Sequence, residues 1–266
     1  MKKTGPYIGI TGFMSLPEVV VCNNAFREAV SNTNEKGGTL PADLKFMVGV
    51  LVNIKTLLGE TNRRPNRYPP IARVPEIFSL KDRHLLRTIH YNTDDIERVE
   101  QIMAIAPADI DALQLNIRWA NPVKLQKVRR KYPNLRIILQ VGAGALADVS
   151  EPEDIYLGLG KALRAYEGVA DDFLVDSSGG EGKELDVWKT FACLADSEIP
   201  RGMMPGAAGG RDADNLSGFQ GLVRRLGRPI NFDAERRLRT DEDHLDLAKA
   251  SRYLSSAVNA FSSFLF

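Results

Sequence analysis

The segment Asp172-Phe-Leu-Val-Asp176 and the glycine-rich run that follows it, Ser177-Ser-Gly-Gly-Glu-Gly-Lys183, decide the fold class. A short apolar run ends in a carboxylate and passes directly into the glycines. Parallel α/β proteins present chemistry in this way, on side chains at the carboxyl ends of buried strands. Glycine lets the backbone come close to a ligand, so the run forms either a lid over a substrate or a plain flexible loop. The segment predicts a parallel strand that ends at a functional site.

Short apolar runs of this kind alternate with amphipathic stretches along the whole chain. In the amphipathic stretches apolar residues recur at helical spacing, as at Val99, Ile102 and Met103. The predicted strands are Tyr7–Thr11, Phe46–Asn53, Leu85–Tyr91, Ala112–Ile117, Arg136–Val141, Asp172–Val175, Gly202–Met204 and Pro229–Phe232. The predicted helices are Leu16–Ser31, Thr93–Ile105, Pro122–Lys131, Ile155–Tyr166, Glu184–Leu194, Ala213–Leu226 and Glu242–Phe264. This order predicts an α/β fold, a single-domain (β/α)8 TIM barrel over residues 1–266, with a doubly wound open sheet as the alternative.

One connection, at about residues 57–81, does not follow the helical pattern. Prolines at positions 65, 69, 70 and 75 exclude a regular helix through most of it. A long irregular loop here follows the second strand, on the face where such barrels hold their active sites. The loop contains arginines that either clamp a carboxylate or phosphate or form a solvated surface: Arg63, Arg64, Arg67 and Arg73.

Charge and composition limit the classes of partner. The chain carries 35 Lys and Arg against 34 Asp and Glu, so no global field draws nucleic acid or an anionic membrane to it. No apolar run approaches the length of a transmembrane helix. The two cysteines, Cys22 and Cys193, offer no disulfide framework and no metal-ligand spacing. We therefore expect a cytoplasmic protein that binds a small molecule and uses no metal or organic cofactor.

The C-terminal tail, Ala260-Phe-Ser-Ser-Phe-Leu-Phe266, is apolar for the end of a chain. It either packs back on the barrel or forms a contact between the subunits of a homo-oligomer. Packing on the barrel follows if the last predicted helix continues into the tail.

Polar side chains near the ends of predicted strands are candidate site residues. Asp176 closes the sixth strand, where a carboxyl group can act as a general acid on a ring oxygen or a leaving group. His90 lies near the end of the third strand, where an imidazole can act as a base near neutral pH. Gln114 and Asn116 alternate on the fourth strand, so both can face the barrel interior and bind ligand hydroxyls. Each has a structural alternative, which is an ion pair or loop cap for Asp176 and a hydrogen-bonded polar layer for the others.

The turn Gly206-Ala-Ala-Gly-Gly-Arg-Asp-Ala-Asp-Asn215 follows the seventh predicted strand and opens a predicted helix. Small residues free backbone N–H groups, and a helix N-terminus adds a partial positive charge. Barrels of this class often hold phosphate at the loops after strands seven and eight. Alternatively, the glycines serve only the turn. The residues that we expect to bind phosphate or another anion are Gly209, Gly210 and Arg211, with Arg236 or Arg237.

Taken in order, these segments resemble the phosphoribosylanthranilate isomerase family of tryptophan-pathway barrel enzymes. The matching segments span nearly the whole chain, and each is short. They are Gly9-Ile-Thr11, Asn66-Arg-Tyr68, Asp111-Ala-Leu-Gln-Leu115 with Asn116 in place of the family's histidine, Leu174-Val-Asp176 with Gly182-Lys183, and Gly209-Gly210 with Ala213-Asp-Asn215. The resemblance implies a (β/α)8 barrel with isomerase activity.

The family performs an Amadori rearrangement, which converts an N-linked phosphoribose aminoaldose into an aminoketose. The resemblance makes Asp176 the general acid that opens the furanose, and Arg67 a contact for a substrate carboxylate. We place Thr11, Gln114 and Asn116 at the substrate as well.

Two positions depart from the family pattern. The cysteine that removes the C2 proton is here Ile8, whose hydrocarbon side chain cannot accept a proton. The Ser-Ser-Gly that helps to hold phosphate is here Glu235-Arg236-Arg237. A general base supplies on the order of 10²–10⁴-fold in rate, so another group replaces it or the reaction differs. We expect an isomerase-type enzyme that acts on a phosphorylated or otherwise anionic sugar derivative.

Two other functions stay open. The first is a non-catalytic barrel that binds a sugar phosphate or a protein partner. The second is a lyase or glycosyl-transfer enzyme that uses Asp176 with Glu235 or Asp233. Convergence of these carboxylates in one pocket favours the paired-acid mechanism, and wide separation disfavours it.

Overall fold

The computed structural model describes residues 5–93, 95–149, 158–176 and 187–262. Eight parallel strands, β1 to β8, close into a barrel in chain order. Each strand pairs with the next, and β8 returns to β1 with Phe232 in register with Ile8. The predicted (β/α)8 barrel is confirmed, and the open sheet is excluded. The predicted lid, within residues 177–186, lies outside the described residues.

The strands occupy nearly the predicted positions in six of eight cases. Both ends of β1 to β6 lie within one residue of the prediction. The observed bounds are β1 Tyr7–Thr11, β2 Lys45–Val52, β3 Leu85–Asn92, β4 Ala112–Asn116, β5 Arg136–Gly142, β6 Asp172–Asp176, β7 Met204–Ala208 and β8 Asn231–Ala234.

The predictions for the last two strands are wrong in position. β7 begins where the predicted strand ends, and β8 begins two residues later than predicted. β7 consists largely of small residues, which have low strand propensity. The barrel nevertheless requires glycine at one of these positions, because a Cβ at Gly206 would lie 2.7 Å from Leu174 Cδ1 and 2.8 Å from Asn231 Cβ. Close packing across the barrel therefore overrides local propensity here.

The helices cover the outside of the barrel. Pro122 begins its helix as predicted, and the Asn121 side chain accepts hydrogen bonds from the amides of Val123 (3.0 Å) and Lys124 (3.2 Å). The helix bounds are α1 Leu16–Glu35, α2 Ile54–Leu58, α3 Val74–Ile77, α4 Val99–Ile105, α5 Pro122–Lys131, α6 Ala143–Val149, α7 Gly158–Leu163, α8 Val187–Ala195, α9 Ser217–Leu226 and α10 Leu247–Ser262. None of the helices in the described part of the chain has the length and apolar character that a membrane crossing requires.

The loop at residues 57–81 is irregular, as predicted, but it contains short helical turns. These turns are Pro65–Arg67, Ile71–Arg73 and α3. α10 ends at Ser262, and Phe261 packs on Phe232 of β8 with ring centroids 4.7 Å apart. The part of the apolar tail that is described therefore packs on the barrel. Residues 263–266 lie outside the described residues.

A buried polar network closes the barrel interior at the amino ends of the strands. Arg136 Nε donates to Asp172 Oδ2 at 2.7 Å, and Asn231 Nδ2 donates to Asp172 Oδ1 at 2.7 Å. The Arg136 guanidinium also lies 5.2 Å from the ring centroid of Tyr7. The paired charges make this end a structural plug, and the opposite end of the barrel carries the candidate site.

Candidate functional site

Alternation along the strands decides which side chains reach the barrel interior. Phe46 stacks on Phe26 of α1, with ring centroids 5.7 Å apart, so Phe46 faces the helices. Ile8 is in register with Phe46 and is fully buried in the same apolar layer. Gly9 is in register with Met47, which packs inside the barrel. Position 8, where the resemblance places the family's base, therefore faces the helices.

Asp233 of β8 is a buried carboxyl group at the mouth of the barrel. Thr11 Oγ1 lies 3.1 Å from both of its oxygens, and Gln114 Nε2 lies 3.4 Å from Oδ2. Burial raises the pKa of Asp233 to about 7, and the charges of Glu235 and Asp176 act in the same direction. The hydrogen bonds from Gln114 and Thr11 oppose this rise. The carboxyl group therefore changes its charge near neutral pH.

Gly9 makes room for this carboxyl group. A Cβ at Gly9 would lie 3.0 Å from Asp233 Oδ1, 2.9 Å from Phe232 O and 2.7 Å from Met47 Cε. The register pairs Gly9 directly with Asp233. The inner face of β1 is thus left open for the carboxyl group that the adjacent strand supplies.

Two amide side chains link Asp233 to Asp176. Gln114 Nε2 donates to Gln140 Oε1 at 3.1 Å, and Gln140 Nε2 donates to Asp176 Oδ2 at 2.9 Å. Gln140 lies on β5 and was not a predicted site residue, although a glutamine in an otherwise apolar run at a strand end was a usable signal. The sequence predictions for Asp176, Gln114 and Thr11 thus meet in one network.

His90 adjoins this network as a neutral imidazole. Its Nδ1 lies 3.5 Å from Gln114 Nε2, and within the described ranges no hydrogen-bond partner reaches its Nε2. Burial lowers the pKa of His90 to about 4, against the opposing charge of Asp176. If Nδ1 accepts from Gln114, the ring proton lies on Nε2 and can be donated to a ligand. A pKa this low makes His90 a weak base near neutral pH, so its predicted role as base is less suitable than that of a hydrogen-bond donor.

Two adjoining cavities open at this end of the barrel. Asp176 and the Gly209-Gly210 turn line the smaller one together. The larger one has a volume of about 210 Å³. The smaller cavity is lined by His90, Gln140, Asp176, Ala208, Gly209, Gly210, Asp233, Ala234, Glu235 and Arg236. The larger is lined by Leu51, Arg64, Arg67, Tyr68, His90, Asn92, Asn116, Gln140, Gly142, Asp176 and Glu235.

A third cavity, of about 530 Å³, lies at the opposite end of the barrel. It is lined by residues such as Pro6, Met203 and Pro229, beyond the Arg136–Asp172 plug. The linked titratable side chains lie instead at the mouth. We therefore assign the chemistry to the two adjoining cavities at the mouth rather than to this third cavity.

The glycine turn after β7 differs in part from its prediction. Gly206 to Ala208 belong to the strand, and α9 begins at Ser217, so the turn does not open a helix directly. Gly209 and Gly210 have φ values of 102° and 57°, which favour glycine. Asn215 Nδ2 donates to Gly210 O at 2.6 Å and closes the turn. An anion at this turn would rely on backbone N–H groups and nearby arginines, without a helix dipole.

The arginines near the turn have different surroundings. Arg211 is buried, and its Nη1 lies 3.3 Å from Asn215 O. Arg237 Nη1 donates to Asp212 Oδ2 at 2.9 Å, which joins the segments after β7 and β8. Arg236 is exposed and lines the smaller cavity, and it forms no ion pair with the described residues.

Arg67, predicted to bind a substrate carboxylate, is already paired within the chain. Its Nε donates to Asp243 Oδ1 at 2.8 Å and to Oδ2 at 2.7 Å, and its Nη1 forms an ion pair with Glu235. The neighbouring Arg64 also lines the larger cavity, and no described residue forms an ion pair with it. Asn116, a predicted substrate contact, also lines this cavity. The cation that is open to a ligand here is Arg64.

Arg239 ties the segments around the mouth together and was not predicted. Its Nη2 donates to Thr11 O at 3.2 Å and to Gly12 O at 2.8 Å. Its Nη1 donates to Asn66 O at 3.3 Å and to Asp243 O at 2.9 Å. The guanidinium therefore holds the end of β1, the loop at 57–81 and the segment after β8 in one arrangement.

The site can perform acid–base chemistry. Two carboxyl groups are linked through amides, and one of them titrates near neutral pH. A neutral imidazole adds a hydrogen-bond donor, and arginines lie at both cavities. Among the described residues, no group of three or more His, Cys, Asp or Glu side chains is placed to hold a metal ion.

Comparisons with known proteins agree with this architecture. No protein-family model matches the chain. A curated N-(5'-phosphoribosyl)anthranilate isomerase from Methanoregula boonei is 27% identical over 194 residues, which cover 73% of this chain and 80% of that protein. Solved phosphoribosyl anthranilate isomerases from Thermus thermophilus and Thermotoga maritima superpose with TM-scores of 0.61 and 0.60. Both are 15% identical, cover 95% of this chain and 98% of their own, and by themselves show only the shared fold.

Proposed function

We propose that this divergent phosphoribosylanthranilate isomerase-like barrel is an isomerase that acts on a phosphorylated or otherwise anionic sugar derivative. One observation carries the proposal: Asp176 and the Gly209-Gly210 turn line the same cavity at the carboxyl ends of the strands. By resemblance, the first is the acid and the second holds an anion. We assign chemistry of the aldose–ketose type, because the acid Asp176, a second buried carboxyl group, Asp233, and an anion cradle meet around one small space.

Asp176 opens the sugar ring in this proposal. Its proton passes to the ring oxygen, the C1–O bond breaks, and the lone pair of the attached nitrogen forms an iminium with C1. The amide of Gln140 holds the carboxyl group of Asp176 at 2.9 Å and so sets the direction of transfer. His90 Nε2, buried and without a partner among the described residues, donates to a sugar hydroxyl.

Two separated acidic groups on the substrate fit the two cavities. At the smaller cavity, the backbone of Gly209 and Gly210 and the side chain of Arg236 face an anion such as phosphate. At the larger cavity, Arg64 faces a second anion such as a carboxylate. N-(5'-phosphoribosyl)anthranilate carries both groups and is the first substrate to test.

The test is conversion of N-(5'-phosphoribosyl)anthranilate to the aminoketose, followed by proton NMR. Asp176→Asn should reduce turnover by roughly 100-fold or more, as expected for the loss of a general acid. Asp214→Asn is the matched control, because Asp214 is exposed and pairs only with Arg252 among the described residues. If the wild-type protein is inert toward this substrate and toward a panel of other phosphorylated aldosylamines, the proposed function is wrong.

The role of Arg64 has its own test. Arg64→Ala should raise KM by roughly 10-fold to 100-fold, the range for a lost charge-assisted hydrogen bond of about 1.5–3 kcal/mol. Arg63→Ala is the control, since Arg63 is the exposed neighbouring arginine and does not line the cavity. Equal effects of both substitutions would show that only the net charge of the loop matters.

The convergence of carboxyl groups supports a second candidate, glycosyl transfer or hydrolysis. Asp176, Asp233 and Glu235 all line the smaller cavity, as a paired-carboxylate mechanism requires. The same assay distinguishes the two reactions. Isomerisation leaves the amine attached to the sugar, whereas glycosyl transfer releases free anthranilate.

A further inference from the structure

The proposed isomerisation needs a base, and the family's position for it is unsuitable here. Ile8 is a hydrocarbon that faces the helices. The two cysteines do not replace it, because both lie buried in helices, Cys22 in α1 and Cys193 in α8. Burial raises the pKa of Cys22 to about 12 and that of Cys193 to about 11, so both thiols stay protonated.

We infer that Asp233 is the proton acceptor of the isomerisation, a role that rests on the proposed function. Asp233 lies on β8, the strand that pairs with β1, and its register partner is Gly9. Because Gly9 has no side chain, the carboxyl group of Asp233 can occupy the space inside the barrel beside β1. The base is thus supplied from the adjacent strand.

Asp233 and the acid Asp176 face the same small cavity, as a reaction that uses both requires. A chain of hydrogen bonds through Gln114 and Gln140 joins the two carboxyl groups. A substrate carbon in this cavity can therefore be approached by both groups. This arrangement separates their tasks, because ring opening uses Asp176 and deprotonation uses Asp233.

Hydrogen bonds hold Asp233 in a fixed orientation. The Thr11 hydroxyl lies 3.1 Å from both carboxyl oxygens and can donate to either. The Thr11 carbonyl in turn accepts from Arg239 Nη2 at 3.2 Å. Thr11 and Arg239 are therefore positioning residues that act through Asp233.

Proton transfers at C2 and then at C1 complete the isomerisation. The Asp233 carboxylate takes the proton from C2 of the iminium, and the electron pair of that C–H bond forms a C1=C2 double bond. The π electrons of the C1=N bond move onto nitrogen and neutralise its charge. The Asp233 carboxyl group then returns a proton to C1, the C2 hydroxyl loses its proton to water, and the aminoketose results.

The ionisation of Asp233 suits this task, because burial gives it a pKa of about 7, close to the pH at which a base is needed. Burial lowers the pKa of His90 to about 4, so His90 stays uncharged over the relevant range. Burial also raises the pKa values of Tyr7 and Tyr253, which stay protonated there. The titratable groups that interact with Asp233 or share its cavity are Asp176, Glu235, His90, Tyr7 and Tyr253. Two cations lie nearby: Arg236 lines the cavity, and Arg211 interacts with Tyr253.

Isomerisation in deuterium oxide tests the inference. The wild-type product should carry deuterium at C1, because the proton on Asp233 exchanges with solvent before it returns. Asp233→Asn should reduce both turnover and deuterium uptake by about 100-fold or more. Asp214→Asn, an aspartate-to-asparagine change at an exposed site, should leave both unchanged.

A second variant covers the case in which Asp233→Asn does not fold. Thr11→Val removes a hydrogen bond that lowers the pKa of Asp233, so the acidic limb of the pH–rate profile should move to higher pH. Thr11→Ser keeps the hydroxyl and should restore the limb. Folded Asp233→Asn protein with wild-type turnover, or a limb that Thr11→Val does not move, would refute the inference and leave the proposed function standing. A wild-type protein that is inert on all substrates would instead refute the proposed function.

Discussion

Asp233 makes the stability of this protein fall as the pH rises toward neutrality, and Asp233→Asn should remove that contribution. In the folded protein, burial keeps the carboxyl group protonated up to a pKa of about 7, whereas its ordinary value is 3.8. Between these values the unfolded chain is ionised and the folded chain is not, so unfolding releases a proton. The folded state therefore loses stability as the pH rises toward 7.

The difference between the two pKa values sets the size of the effect. At about 1.4 kcal/mol per pH unit, a rise from 3.8 to about 7 corresponds to roughly 4 kcal/mol. Asp233 is only 5% exposed, so screening by solvent does not reduce this figure much. Asparagine does not titrate and lacks this loss. The free energy of unfolding of Asp233→Asn, relative to wild type, should therefore increase by about 4 kcal/mol between about pH 4 and pH 8.

Urea unfolding followed by circular dichroism over this pH range measures the difference. Asp214→Asn is the control, and its difference from wild type should stay small because that carboxylate is exposed. A difference between Asp233→Asn and wild type that stays constant with pH would show that Asp233 titrates near its ordinary value. That result would also remove the electrostatic support for Asp233 as the base.

Three further substitutions test the architecture of the mouth. Ile8→Cys should not raise turnover, because position 8 faces the helices, and a gain measured in the isomerase assay would contradict the observed register. Arg67→Met should destabilise the fold by roughly 3 kcal/mol in urea unfolding at neutral pH, because it leaves the partly buried carboxylates of Asp243 and Glu235 without their cation. This loss of stability should become smaller in acid, because protonation of Asp243 ends its pairing with Arg67. Burial raises the pKa of Asp243, but the hydrogen bonds and charge of Arg67 outweigh burial and hold that pKa below its usual value. Gly12→Ala should lower both the melting temperature and kcat, because Gly12 has a φ of 96° and a Cβ there would lie 1.9 Å from Arg239 Nη2. A variant with unchanged melting temperature and kcat would argue against Arg239 as the residue that holds the segments of the mouth together.

Much of the barrel was predictable because its signals are local. The bounds of β1 and α5 follow from an apolar run and from a proline after an asparagine, and both match the prediction. β7 was not predictable in the same way. Its Gly206 is small because Leu174 and Asn231 leave no room for a side chain, which is a property of the closed barrel rather than of the neighbouring sequence.

The site was predictable only where a residue type and a strand end coincide. Asp176 ends an apolar run, and the structure places it at the mouth. The importance of Asp233 depends instead on its burial and on Thr11, 222 residues away in the chain. Likewise, Arg67 is visible in the sequence as a cation, but its partner Asp243 lies 176 residues away. Contacts over such separations leave no local pattern.

Arg67 lies at the rim of the barrel, where ion pairs within the chain occupy its guanidinium group. Its charge is cancelled by Asp243 and Glu235, both carried on the segment after β8. Exchanging these two carboxylates for amides would release a ready-made cation beside Arg64 without the introduction of a new one. Binding of more acidic ligands is therefore best engineered by removing negative charge at these two positions. The stability that is lost with the ion pairs limits how many of them can be removed.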